Sequence, residues 1–163
     1  MSLFSKGCFI ACILPLAACG FEAVYGPNKA ANKIFGKINV SVLEGRNSFE
    51  FRDRLIDRLG LPSGDALYSL NYLSTVNVDN LTISEDNDVT RYTLQGETKF
   101  SLIDISTKAV VYKNIVISNT AYSATSGTYP TAVAELDANV RLSRDMADKI
   151  VILLNITAKD WLE

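Results

Sequence analysis

Histidine is missing from this 163-residue sequence, which excludes Ser-His-Asp triads, His-ligated metals and imidazole proton shuttles. An excess of positive charge is missing too: 16 Lys+Arg stand against 18 Asp+Glu, so no bulk field gathers nucleic acid. Four prolines and nine glycines are too few for a disordered or fibrous chain. GxSxG, P-loop and GxGxxG motifs are absent, and no lysine stands in an apolar context beside a serine to serve as its base. Cysteine occurs three times, at Cys8, Cys12 and Cys19. What is present is a 48% hydrophobic chain of one-domain length, with enough apolar residues for a packed core.

Met1 to Ala18 reads as a leader. Lys6 supplies a positive start, and Cys8 to Leu16 form an apolar run as long as a signal-peptide core and too short to span a bilayer. The run ends in Leu16-Ala17-Ala18-Cys19-Gly20, which resembles the bacterial lipobox, where the cysteine is acylated and becomes the new amino terminus. Gly20 stands where an aspartate would signal inner-membrane retention, which leans toward the outer membrane. Cys8 and Cys12 would leave with the leader and Cys19 would carry lipid, so no thiol is left for a disulfide. Cleavage would remove Lys6 and no acid, leaving 15 basic and 18 acidic residues, a net of −3. Several acyl chains, at about 0.8 kcal/mol per buried CH2, anchor a protein without a membrane span. The expected organisation is a signal peptide over 1–18, a lipidated amino terminus and polar tether over 19–33, and a single α+β domain over 34–163.

Ile34 to Leu43 alternates Ile38, Val40 and Val42 with Lys37, Asn39 and Ser41, a half-buried strand. Asn47 and Glu50 form a capping-box-like pair ahead of a helix whose apolar stripe is Phe51, Leu55, Ile56 and Leu59; Gly60 and Pro62 stop it. Ala66 to Ser84 carries a strand with Leu70, Tyr72, Ser74, Val76 and Val78 on one parity. The parity moves at Leu81 and Ile83, as a bulge near Asp79-Asn80 would produce. Glu85 to Asp88 reads as a hairpin turn, because the glycine and distal glutamate of a calcium loop are missing. Val89 to Asp104 places Tyr92, Leu94, Gly96, Thr98, Phe100 and Leu102 on one face, and Arg91, Thr93, Gln95, Glu97, Lys99 and Ser101 on the other. A turn over Asp104 to Lys108 leads into a returning strand, Ala109 to Tyr122, with Val111, Ile115 and Ile117 apolar.

Pro130 opens a long amphipathic helix expected to dock by Val133, Leu136, Val140, Ala147, Ile150, Val151 and Leu154, with Arg141, Arg144, Asp145, Asp148 and Lys149 opposite. The order is β-α-β-β-β-α. It implies a two-layer α+β sandwich: a four-stranded, mostly antiparallel sheet with two helices on one face.

Candidate chemistry is sparse. Asp86 with Asp88 and Asp145 with Asp148 read as solvated charge, since neither pair has apolar neighbours to raise a pKa. No catalytic residue, metal site or cofactor is assigned. The polar stripe holding Arg91 and Lys99 reads as a solvated face, or as a surface for a partner wall or an anionic glycolipid.

Cys19-Gly20-Phe21-Glu22-Ala23-Val24-Tyr25-Gly26 resembles the start of mature lipopolysaccharide-assembly lipoproteins of the LptE-like family. Phe51-Arg52-Asp53-Arg54-Leu55 resembles the family's first-helix Leu-Arg-x-x-Leu, and Tyr68-Ser69-Leu70 its Tyr-x-Leu. Arg141 to Ile150 resembles the terminal-helix pattern ending Leu-Ala-Asp-x-Ile, with Met146 in the leucine position. The resemblance implies an outer-membrane lipoprotein with no enzymatic activity. Its implied role is to plug and help assemble a β-barrel lipopolysaccharide translocon (an LptD-like partner), bind lipopolysaccharide and assist its insertion into the outer leaflet. The family's glycolipid contacts lie in poorly alignable loops and do not carry over to Arg91 or Lys99. The competing reading is an auxiliary lipoprotein of an ABC-type lipid transport system.

Mass spectrometry of membrane-extracted protein should find Cys19 acylated and amino-terminal; an unmodified thiol or a retained Met1 to Ala18 segment would refute the lipobox reading.

Overall fold

The computed structural model describes residues 33–41, 48–62, 64, 66–83, 89–124 and 127–162. The leader, Cys19, most of the tether, Asn47 and the Glu85 to Asp88 turn lie outside them. In chain order the elements are β1 (Ile38–Val40), α1 (Ser48–Leu59), β2 (Tyr68–Ile83), β3 (Val89–Asp104), β4 (Val110–Ser123) and α2 (Thr128–Trp161). The strands lie in the order β1-β2-β3-β4, with β1 parallel to β2 and the remaining pairs antiparallel. The fold is α+β, both helices packing on one face of a mixed four-stranded sheet.

Alternation dictates which face that is. Leu70 and Tyr72 of β2, and Leu94, Thr98, Phe100 and Leu102 of β3, are buried. The register pairs Leu70 with Leu102 and Tyr72 with Phe100, so these side chains form continuous rows. Phe51, Leu55 and Leu59 of α1 pack on this surface, Phe51 lying 4.8 Å from the Tyr72 ring. Gly60 ends α1 at φ +78°, a conformation open to glycine, and its N–H bonds the Ile56 carbonyl at 2.8 Å. At the same end of the sandwich Tyr68 holds α2: its hydroxyl donates to the Trp161 carbonyl at 3.3 Å, and the two rings meet edge to face at 5.1 Å.

β3 matches its sequence boundaries, and the register shifts of the β2–β3 pair fall at Asn80–Thr82 and Thr82–Ile83, beside the expected bulge. Three other readings are corrected. β1 is shorter than Ile34 to Leu43: the chain turns through Gly36 at φ +71°, whose N–H bonds the Leu59 carbonyl, and only then enters the sheet. In β4 the inward set is not Val111, Ile115 and Ile117. Ile103 pairs with Val110 but Leu102 pairs with Tyr112, so one extra residue at the start of β4 reverses its parity. Tyr112, Val116, Ser118 and Tyr122 therefore share the helix-facing parity, while Ile115 and Ile117 are 50% and 52% exposed on the other face.

The third correction concerns α2, which starts at Thr128 and runs 34 residues, about 50 Å. No residue before Ala138 in it is buried; Val133 and Leu136 are exposed, and the docking face is Leu142, Met146, Ala147, Ile150, Val151 and Leu154. Periodicity gave the correct stripe but could not say where the sheet beneath it ends.

Ile150→Ala should cost about 2–5 kcal/mol because the side chain is fully enclosed. Leu136→Ala, at a residue 58% exposed, should shift stability by no more than about 0.5 kcal/mol. Urea midpoints of the two variants check this, and comparable losses would show the α2 face to be misassigned.

Candidate functional site

The face of the sheet turned away from the helices is built by the second set of alternating residues. Register sets out its cross-strand rows: Asn71, Ser101 and Lys113; Leu73, Lys99 and Ile115; Thr75, Glu97 and Ile117; Asn77, Gln95 and Asn119. Arg91 and Lys99 both lie on this face, as read from the sequence, but eight residues of β3 separate them, about 27 Å. The structure does not bring them into one site. Lys99 is paired with Glu97 at 3.4 Å, and its side chain stays largely in solvent.

The face is less polar than β3 alone suggests. Leu73 from β2 and Ile115 and Ile117 from β4 are exposed on either side of the Glu97–Lys99 pair. Leu73, Lys99, Ser101, Lys113 and Ile115 line an open trough of about 600 Å³. Leu73 was legible as a break in the alternation of β2. The two isoleucines were hidden by the parity change in β4.

The charges on the helices are engaged with one another. Arg54 and Arg58 of α1 both donate to Asp148 of α2, at 2.9–3.0 Å, and Arg144 reaches Glu50 at 3.1 Å. Burial pushes the Asp148 carboxyl up, but hydrogen bonds from the two arginines outweigh it and hold the group below its ordinary range. Asp145 shows the same balance, with burial opposed by hydrogen bonds from Lys149 and Ser118. The solvated reading is corrected for Asp148, whose partners come from α1, far away in sequence; Asp145 is exposed, paired with Lys149 one turn on and with Ser118 of β4.

Ser118, Asp145 and Lys149 together resemble parts of a Ser-Lys site, yet the geometry opposes that chemistry. The Lys149 amine donates to Ser118 Oγ at 3.0 Å and to Asp145 at 2.8 Å, so it is not aimed to take the serine's proton, and Ser118 is buried beneath the helix. Among the described residues no group of three or more Cys, Asp or Glu stands where it could hold a metal. No described helix is long and apolar enough to cross a membrane.

The family model described as LptE, lipopolysaccharide-assembly, matches residues 35–154. An uncharacterised protein of Rickettsia prowazekii (strain Madrid E) is 27% identical over 141 residues, covering 86% of this chain and 88% of the relative. Among solved structures, a candidate lipoprotein from Caulobacter crescentus CB15 superposes with a TM-score of 0.63 at 23% identity, covering 80% of this chain and 95% of that one. The rare lipoprotein B from Shewanella oneidensis gives 0.59 at 13% identity, covering 76% and 95%. At these identities the two structures establish the shared fold.

Asp148 provides a pH test of the helix-to-helix cluster. Its folded pKa is depressed, so its contribution to stability is present above its unfolded pKa, about 4, and is lost as pH falls through the folded value. Asp148→Asn should cost roughly 1 kcal/mol at pH 7, discounted for partial exposure, and should flatten the loss of stability below pH ~4. Urea unfolding between pH 3 and 7 measures both; a variant that tracks the parent at every pH would refute the assignment.

Proposed function

The chain belongs to the LptE lipopolysaccharide-assembly family, and from that membership we propose that it is an outer-membrane lipoprotein, anchored by an acylated Cys19, that plugs a β-barrel translocon. In that role it helps the barrel assemble and assists lipopolysaccharide into the outer leaflet, without enzymatic chemistry of its own. The observation that carries the reading is the extent of the family match, which runs from ahead of β1 to Leu154 in α2 and so takes in every strand.

The outer sheet face suits such a partner. Barrel strands alternate lipid-facing and lumen-facing residues, so a lumen is polar and a plug should present polar, mixed charge. Thr93, Gln95, Glu97, Lys99 and Ser101 supply that surface along β3. Leu73, Ile115 and Ile117 add a small apolar centre with a polar surround, the usual anatomy of a protein interface. A lipid anchor raises the effective concentration of the domain at the membrane, so this contact need not be strongly hydrophobic. Arg91 and Lys99, standing far apart, would touch the barrel or lipopolysaccharide phosphates at separate points.

A tagged chain recovered from detergent-solubilised membranes should retain one outer-membrane β-barrel at one-to-one stoichiometry, and crosslinkers at Thr93 and Gln95 should capture it. Arg91→Glu with Lys99→Glu should weaken barrel assembly or lipopolysaccharide binding and leave the isolated domain folded. Recovery of an inner-membrane ATPase complex in place of a barrel would overturn the proposal and favour the ABC-auxiliary reading.

A further inference from the structure

Among the described residues β4 ends one side of the sheet over fourteen residues, and on the other side β1 covers β2 only from Tyr68 to Leu70. An exposed edge of that length offers a row of backbone N–H and C=O groups to any other strand. In an antiparallel pair alternate residues point both groups toward the neighbouring strand, and the residues between point both away. The Ile117 and Ala121 carbonyls accept from side chains outside the sheet, so by this alternation Lys113, Ile115, Ile117, Asn119 and Ala121 are the outward set of β4.

Three of these outward groups are already taken. Lys149 Nζ donates to the Ile117 carbonyl at 3.1 Å, Arg141 Nη2 donates to the Ala121 carbonyl at 3.2 Å, and the Ile115 N–H donates to the Asn114 side chain at 2.8 Å. The spacing is in register. Arg141 and Lys149 are eight residues apart on a helix, about 12 Å, and Ile117 and Ala121 are four apart on a strand, about 13 Å. The helix runs antiparallel to the strand, so the later cation meets the earlier carbonyl.

Each cation is steadied by an acid one turn earlier, Asp137 for Arg141 and Asp145 for Lys149. Lys149 spends its three donors on Asp145, Ser118 and Ile117, which is the full capacity of an ammonium group. Ordinary solvated pairs along a helix do not need a strand beneath them. What sets these apart is that both cations also reach the backbone of the sheet.

We infer that Arg141 and Lys149 of α2, with Asn114, close the β4 edge to strand pairing. The inference bears on the plug reading, because a domain working beside an assembling barrel lies among open strand edges. Its test needs no barrel.

The probe is a second copy of the chain itself. The mature chain with Cys19→Ser, so that no lipid drives association, is compared with the same chain carrying Arg141→Met and Lys149→Met. Methionine keeps the apolar stem and removes the donor. The parent should sediment as a monomer up to about 1 mM, and the double variant should associate with a dissociation constant at least about tenfold lower. Adding Asn119→Pro, which places the ring on the outward side and removes no bond to β3, should return it to monomer. Circular dichroism of each variant reports folding; if the double variant does not fold, Arg141→Met alone carries the comparison, since that side chain is half exposed. A folded variant that stays monomeric, or association that survives Asn119→Pro, overturns the inference. Failure of the parent to capture a barrel would sink the plug reading and leave this result standing.

Discussion

A long helix can lie close along a sheet only where something small stands at the crossing, and here that is Gly96. A Cβ at this position would sit 2.6 Å from the Met146 sulfur and 3.2 Å from Leu142, both on the docking face of α2. With hydrogen there instead, Met146 settles over the middle of β3, and its sulfur accepts from the fully buried Thr98 hydroxyl at 3.4 Å. Thr98 is tied in turn to Ser74 of β2 at 2.9 Å. The seated helix makes its other contacts from there: Trp161 reaches Tyr68 at one end, Asp148 meets the arginines of α1, and Lys149 and Arg141 arrive over β4.

The seating also divides the charge of the molecule. The acids and bases of the helices are largely used within the domain, joining α1 to α2 and α2 to β4. The outer sheet face keeps Arg91, Lys99 and Lys113 for whatever lies against it, with Glu97 as counterweight. One side holds the fold together and the other meets the surroundings, although the overall charge of the chain is close to neutral.

Much of this was legible, and the rest was hidden for identifiable reasons. β3 alternates apolar and polar residues without interruption, so its ends, its buried face and the outward placement of Arg91 and Lys99 could all be read directly. Phe51, Leu55 and Leu59 announced α1 in the same way. β4 misled because Val110 and Val111 are both apolar, so the extra residue between the pairings of Ile103 and Leu102 left no mark in the pattern. Val133 and Leu136 have helical spacing whether or not a sheet lies beneath them. The trough beside Lys99 needed Leu73 and Ile115 from two other strands, and the partners of Asp148 lie about ninety residues away. Local patterns carry local geometry; neighbours brought together by pairing register are not written in them.

Being last of the described elements in chain order has a temporal meaning for α2. During synthesis or translocation from the amino end, β2, β3 and β4 are available to pair while the helix that covers them has yet to emerge. Their hairpin contacts are close in sequence and cheap to form, whereas joining Tyr68 to Trp161 closes a loop of more than ninety residues. Until that loop closes, the part of the apolar face that α2 covers stands bare beside α1, and the β4 edge lacks Arg141 and Lys149. Docking of α2 covers that surface and brings both cations to the β4 edge in one step.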